Sequence, residues 1–556
     1  MNYYYDALDR LTSKVTPEGT LRYTYYASGK VESITSSNAN GTSVSYTYDA
    51  GVPVDRSSST GWDDLNRLST VVDGHLQGNQ TTTYSYDTAS NVAEVTYPNN
   101  LTSKFTYDAL NRLTALSTTT SPVSSYNYTL GATGNRTAAT EGNGRSLAWN
   151  YDDIYRLTSE TISGDPSQNN GSVAYSLDPV GNRTSAISTF SSLAPGYGSY
   201  NADDQLSGES YDANGNTTRT ANGSQYTYDS ENHLIKMVNG STVVTLQYDA
   251  FGNRVAKTVN GVTTKYLVED DVNPTGLPQV VEELVNGAVT RQYTYGLQRI
   301  SENQEIANVW TSSFYEYDGG GSVRQLTNSA GAVTDEYEYD AFGNSFTKVG
   351  TTPNNYLYRG EQYDSDLGLY YLRARYYNPA TARFLSRDRL AGRAQSPMTL
   401  HKYLYTGGDP VNRIDPRGLE IEGVALTTIS SLQKTVAFGN FVSCGANIGL
   451  TAATGSIFKS LQDDIDHPGG TTLGGLGVTS TAIGCITMFT IPETGSVTVS
   501  ATDILGLAGC GLSVVQDVYD LNRYWKEPTE ENSLTFESDW TAGMIGCIPT
   551  LISTMI

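Results

Sequence analysis

Residues able to do chemistry are scarce in this sequence and gather toward its C-terminal end. Only four histidines and four cysteines occur among 556 residues. Cys444, Cys485, Cys510 and Cys547 all lie in the tail, without the close pairing of a zinc ligand set. They read either as one or two disulfides, if the tail is exported, or as small apolar residues buried beside glycines. His467 stands beside Asp463, Asp464 and Asp466 and reads as a charged helix end or loop in preference to a catalytic base. Upstream, the pairs Asp409-Pro410 and Asp415-Pro416, taken alone, start turns. No clustered Asp-x-Asp loop supports calcium binding by the acidic turns, and the tail carries no recognisable nuclease, deaminase or transferase motif. Neither a metal nor a cofactor is expected.

The elements around these residues announce themselves by repetition. Tyr-x-Tyr-Asp recurs, followed a few residues later by Asn-Arg or Gly-Asn and an aliphatic residue. The clearest copies are YYYDALDRL from Tyr3, FTYDALNRL from Phe105, WNYDDIYRL from Trp149, YTYDSENHL from Tyr226, QYDAFGNRV from Gln247 and YEYDAFGN from Tyr337. Alternation puts both tyrosines on one strand face, and the aspartate can bond backbone amides where the chain turns. Arg10, Arg112, Arg156 and Arg254 then head a return strand. Each unit is therefore a hairpin, and neighbouring hairpins can pair into a twisted antiparallel sheet. The 41 Tyr against 12 Phe agree with half-buried strands. A net charge of -23 argues against a nucleic-acid surface, which needs a basic face.

These Tyr-Asp units resemble the YD repeats of Rhs proteins, of the C subunits of insecticidal toxin complexes and of teneurins. The resemblance implies a mainly β chain whose long spiralling sheet forms a full or partial hollow shell. It sets a repeat array over 1–350, with an open N-terminal end expected.

Residues 351–419 are similar to the Rhs-repeat-associated core. Gly368 to Tyr377, Ala382 to Asp388 and the closing Asp415 to Leu419 carry the likeness. One departure stands out, since Arg389 follows Asp388 where the family usually has proline. In toxin-associated members this core resembles an aspartic protease that cuts its own chain. The likeness then implies a site built from Arg387, Asp388 and a downstream aspartate, Asp409 or Asp415, with cleavage between Leu419 and Glu420. Two carboxyls held close share a proton, so one can serve as acid while the other activates water.

Residues 420–556 form a separate, mostly α domain in this reading, at the position where the family holds a variable effector. Thr435 to Phe458, Gly469 to Pro492 and Ile504 to Gln516 are uncharged or apolar runs, compatible with lipid or with a soluble Gly-rich helical bundle. Asp517 to Lys526 reads as an amphipathic packing helix. No signal peptide opens the sequence, so either a dedicated secretion apparatus exports it or it is a fragment of a longer polypeptide, the reading preferred here. The expected function is a secreted or surface-displayed bacterial carrier that holds its own C-terminal domain as cargo and releases it by self-cleavage. An immunity protein would accompany such cargo. The rival is an adhesive surface protein that binds glycans or partner proteins and stays whole.

Overall fold

The computed structural model describes residues 1–48, 67–75, 80–119, 123–190, 193, 198–270, 272–392, 397–419 and 422–423. The chain divides into two units, Met1–Gly439 and Asn440–Ile556, and every described residue belongs to the first. Glu420, the four cysteines, His467, the uncharged runs and the helix expected at 517–526 lie outside the described residues. Among those described, no helix is long and apolar enough to cross a membrane.

The fold is nearly all β. Sixteen antiparallel strands from Asn2–Tyr5 to Arg183–Ser188 form one sheet, and fourteen from Ser210–Tyr211 to Ser345–Val349 form a second. In both, spatial order equals chain order, and neither sheet closes on itself. A four-stranded sheet follows, from Gln362–Asp364 to Arg383–Phe384. The array is thus carried by two large sheets where the repeats alone predict one continuous wall. The interruption falls between Arg183–Ser188, the last strand of the first sheet, and Ser210–Tyr211, the first of the second. Beyond it, Thr217 N–H donates to the Leu385 carbonyl at 2.8 Å, so the core segment takes a bond that a preceding hairpin would otherwise fill.

In the repeat copies of Asp6, Asp108 and Asp152, the Tyr-Asp turn is sealed by its own aspartate. Asp108 Oδ1 accepts from the amides of Leu110 and Arg112 at 2.9 and 3.0 Å, and Oδ2 accepts from Arg112 Nε at 2.6 Å. Asn111 between them has φ +59, a conformation asparagine tolerates well. Asp6 with Arg10 and Asp152 with Arg156 repeat the arrangement. In DAFGNRV the sealing place belongs to Asn253, which bonds Asp249. Arg254 therefore departs from the other arginines: it turns inward and meets buried Asp364.

Tyrosine does more than pack. In several units its second copy donates its hydroxyl to the carbonyl that opens an earlier strand: Tyr25 to Leu11 at 2.7 Å, Tyr86 to Leu68 at 2.7 Å, Tyr107 to Val92 at 2.9 Å and Tyr248 to Leu234 at 2.8 Å. Phenylalanine would fill the same space without tying hairpin to hairpin.

The inner faces of the two large sheets meet directly. Leu21, Tyr46, Val71 and Leu101 from the first join Leu267, Tyr293, Tyr315 and Leu326 from the second, together with Tyr358, Tyr370 and Tyr377 of the core segment. Polar bonds cross the seam as well. Lys14 Nζ reaches the Val268 carbonyl at 2.9 Å and Asp270 at 2.7 Å, Thr42 N–H donates to Glu282 at 2.7 Å, and Asp73 accepts from Thr294 at 2.7 Å. These carboxylates face inward because a partner across the seam satisfies them.

Candidate self-cleavage site

The site grows out of one tight hairpin. Leu369–Leu372 pairs with Arg375–Asn378, and Arg373 at its tip has φ +59. Three successive residues of this tip hold three successive carbonyls of the closing segment. Arg373 Nη1 donates to Pro416 O, Ala374 N–H to Arg417 O at 3.2 Å, and Arg375 Nε to Gly418 O. Glu361 in turn fixes Arg373 through two contacts at 3.0 and 2.9 Å. Gly418 has φ +66, and a Cβ there would overlap the Leu372 carbonyl. The closing motif needs glycine for close approach as well as for conformation.

Arg375 is the centre of this arrangement. Its Nη2 lies 2.9 Å from Asp388 Oδ2 and 3.4 Å from Asp415 Oδ2, and its Nη1 donates to the Lys402 carbonyl at 3.2 Å. The guanidinium carbon stands 3.7 Å above the Phe384 ring. Burial draws the Arg375 pKa down while Asp388 and Asp415 pull it back up. Asp388 N–H donates to Lys402 O at 2.9 Å, and Asp388 Oδ1 accepts from Leu390 N–H at 2.8 Å. Asp415 Oδ1 accepts from Leu419 N–H at 2.9 Å, so this carboxylate touches the residue before the expected scissile bond.

Of the two downstream aspartates, Asp415 shares a partner with Asp388. Asp409 instead caps its own turn, accepting from Asn412 N–H at 3.1 Å and Asn412 Nδ2 at 3.0 Å, with Arg413 Nε at 3.9 Å. Burial raises its pKa. Arg387 packs its stem against Gly215, and the guanidinium between the carboxylates is that of Arg375. Arg375 lies within the Gly368 to Tyr377 stretch that carries the family likeness, and nothing in that stretch assigns it a role. Its only local signal is a second arginine two residues before it, at the tip of a short hairpin.

Beside the clasp is a cavity of about 100 Å³ lined by Arg299, Arg359, Glu361, Arg373, Tyr405 and Asp415, among others. Elsewhere, Asp229, Glu231 and His233 bring three donor atoms within 4.8 Å of one another. This group belongs to an ordinary Tyr-Asp turn in which His233 takes the sealing place, its N–H 2.8 Å from Asp229 Oδ1.

Two family models match: the teneurin YD-shell over residues 175–411 and the RHS repeat over residues 86–122. Over these residues the chain matches the Rhs/YD-repeat family. Among curated relatives, the tRNA3(Ser)-specific nuclease WapA of Bacillus spizizenii is 38% identical over 221 residues, which are 38% of this chain and 9% of the relative. The tRNA nuclease WapA of Bacillus subtilis is 37% identical over 217 residues, again 38% and 9%. Double-stranded DNA deaminase toxin A of Burkholderia cenocepacia is 25% identical over 241 residues, 38% of this chain and 16% of the relative. The matches thus span a small part of those relatives' own length. Among solved structures, the Photorhabdus luminescens Tc holotoxin pore aligns with TM-score 0.59 at 18% identity, covering 74% of this chain and 22% of that one. The TcdB2-TccC3 crystal structure gives 0.58 at 18%, covering 72% and 22%. This level of identity speaks for the shared YD-shell fold alone.

Proposed function

We propose that this Rhs/YD-repeat protein is an exported toxin carrier: an array over 1–350 and a core over 351–419 hold residues 420–556 as cargo, and the core releases them by cutting after Leu419. One observation carries the reading. Asp388 and Asp415, 27 positions apart in sequence, meet on Arg375 directly beside a clasped Pro416–Gly418 run. Relatives named as a tRNA nuclease and as a DNA deaminase toxin support toxic cargo as a class; the net charge of -23 argues against a nucleic-acid surface on the carrier itself.

In the proposed reaction one carboxylate of the pair takes a proton from water as its oxygen bonds the Leu419 carbonyl carbon. The other, protonated, carboxyl gives its proton to the Glu420 nitrogen as the C–N bond breaks. The products are a Leu419 carboxyl terminus and a Glu420 amino terminus, with no further reactant. The test is intact mass and N-terminal sequencing of purified full-length chain, beside Asp388→Asn and Asp415→Asn. Wild type is expected as two fragments, the second starting at Glu420, and both variants as one uncut chain. An uncut wild type would instead favour the adhesive reading.

A further inference from the structure

We infer that the cavity lined by Arg136, Arg145 and Arg359 is a binding site for a small inorganic oxoanion, seated where both large sheets and the core segment meet. The inference is independent of the cleavage reading, since Arg375, Asp388 and Asp415 do not line this cavity.

The first argument is positive charge left unmatched. The cavity measures about 70 Å³, and its wall includes Arg136, Arg145 and Trp149 from the first sheet, Asp318 and Arg324 from the second, and Arg359 from the core segment. Arg324 holds both oxygens of Glu141 at 2.9 Å, and Arg145 joins the same carboxylate at 3.0 Å. Asp318 accepts from the amides of Gly320 and Ser322 at 2.8 and 3.0 Å, and its other oxygen stands 3.7 Å from Arg324. Arg136 and Arg359 meet carbonyls and rings instead, with no carboxylate in ion-pair contact among the described residues. Arg136 Nη2 donates to Gly319 O at 2.6 Å beside the Tyr128 ring, and Arg359 donates to the carbonyls of Gly320, Pro410 and Val411. Such partners solvate a guanidinium without cancelling its charge, and buried charges are ordinarily paired.

The second argument is unfilled donor capacity. Arg136 is 3% and Arg145 1% exposed, yet the Nε–H of each, and that of Arg359, has no acceptor among the described residues. Three buried cationic N–H groups on one cavity call for acceptors that carry negative charge, and a tetrahedral oxoanion supplies several from one centre. At about 10 to 15 Å³ for one water, the space admits such an ion and excludes a nucleotide or a phosphopeptide.

Two carboxyls on the same wall set the pH at which an anion is tolerated. Glu160 accepts from Trp149 Nε1 at 3.0 Å and Ala341 N–H at 2.9 Å, and Asp340 accepts from the amides of Phe342 and Asn344. Burial, and then the charge of Asp340, push Glu160 up to about 7, and burial raises Asp340. Around them stand Arg145, Arg183, Tyr151 and Tyr175 from the first sheet. Tyr358, Tyr370 and Tyr377 of the core segment face Asp340, and burial keeps all five tyrosines neutral. Below about pH 7 Glu160 carries a proton and the positive excess of the cavity stands; above it, the ionised carboxylate repels an anion.

The test is equilibrium dialysis of the full chain against radiolabelled sulfate, an ion with no titration of its own near neutrality, at ionic strength fixed with gluconate. At about pH 6 uptake should saturate near one ion per chain, with phosphate competing and ATP leaving it unchanged. At about pH 8 binding should weaken by up to about tenfold as Glu160 ionises. Arg136→Gln and Arg359→Gln should each weaken it about 10- to 100-fold, the loss of one charged contact. Arg10→Gln, in a turn outside the cavity, should bind as wild type does. Should a glutamine variant not fold by circular dichroism, Arg136→Lys decides in its place; it keeps the charge without the fork and should bind at least about fivefold more weakly. The inference is overturned by absence of saturable uptake at about pH 6, by wild-type affinity in the Arg136 and Arg359 variants, by displacement with ATP as effective as with phosphate, or by affinity that rises with pH.

Discussion

Glu316 offers a quantitative test of the seam between the two large sheets. It lies on the strand Val309–Tyr317 with no exposure, and one of its oxygens accepts from Ser103 and Thr118 of the opposite sheet at 3.3 and 3.2 Å. The other oxygen has no hydrogen-bond partner among the described residues. Burial pushes its pKa from 4.5 up to about 8. Between those values the folded chain holds a proton that the unfolded chain has released, so stability falls as pH rises. The slope is about 1.4 kcal/mol per pH unit, on the order of 5 kcal/mol across the interval. Glu316→Gln keeps the volume and an acceptor for both hydroxyls but cannot titrate. Urea unfolding near about pH 5 should find the variant slightly less stable, because its extra N–H group costs about 1 to 3 kcal/mol if unpaired. Near about pH 9 the order should reverse, the variant exceeding wild type by several kcal/mol. A stability difference that stays the same at both pH values would refute the reasoning.

Other sites give sharper contrasts. Phe342 and Phe251 occupy the same place in two DAFGN turns, yet one is 4% and the other 67% exposed. Phe342→Ala should cost about 3 to 5 kcal/mol, since the ring packs edge-on against Tyr175 under Arg183, while Phe251→Ala should cost about 1 kcal/mol or less, read as denaturant midpoints. Arg254→Met leaves Asp364 with Lys257 as its remaining charged partner and should cost about 3 to 5 kcal/mol; a loss below about 1 kcal/mol would mean the buried pair contributes little. Gly418→Ala meets both a left-handed backbone and the Leu372 carbonyl, so its cleavage should slow at least about tenfold in a pulse-chase of the full-length chain. Cleavage at the wild-type rate would show that the clasp is dispensable.

Local chemistry was readable in the sequence because it is local. An aspartate bonding amides two and four residues ahead leaves a fixed spacing, and Asp108 with Leu110 and Arg112 obeys it. The tyrosine hydroxyls were harder to foresee, since the carbonyl that Tyr25 reaches lies 14 residues upstream and carries no side-chain signature. Arg254 heads a return strand as Arg10 does in the repeat pattern, yet DAFGNRV places it one position later than the sealing residue. That single step turns it from the turn toward Asp364. Asp409 and Asp415 read identically as Asp-Pro pairs. What separates them is a guanidinium 40 residues before Asp415. No pattern within either motif carries that information.

The hairpin tip at Arg373 to Arg375 takes hold of oxygens that every amino acid possesses. Such a fastening is blind to the identity of residues 416 and 417 beyond their shape, and strict about aspartate at 415 and glycine at 418. It is equally indifferent to whatever chain is spliced on past Leu419. On the carrier role proposed above, a latch of this kind would accept a different sequence past Leu419 with no retuning of the walls.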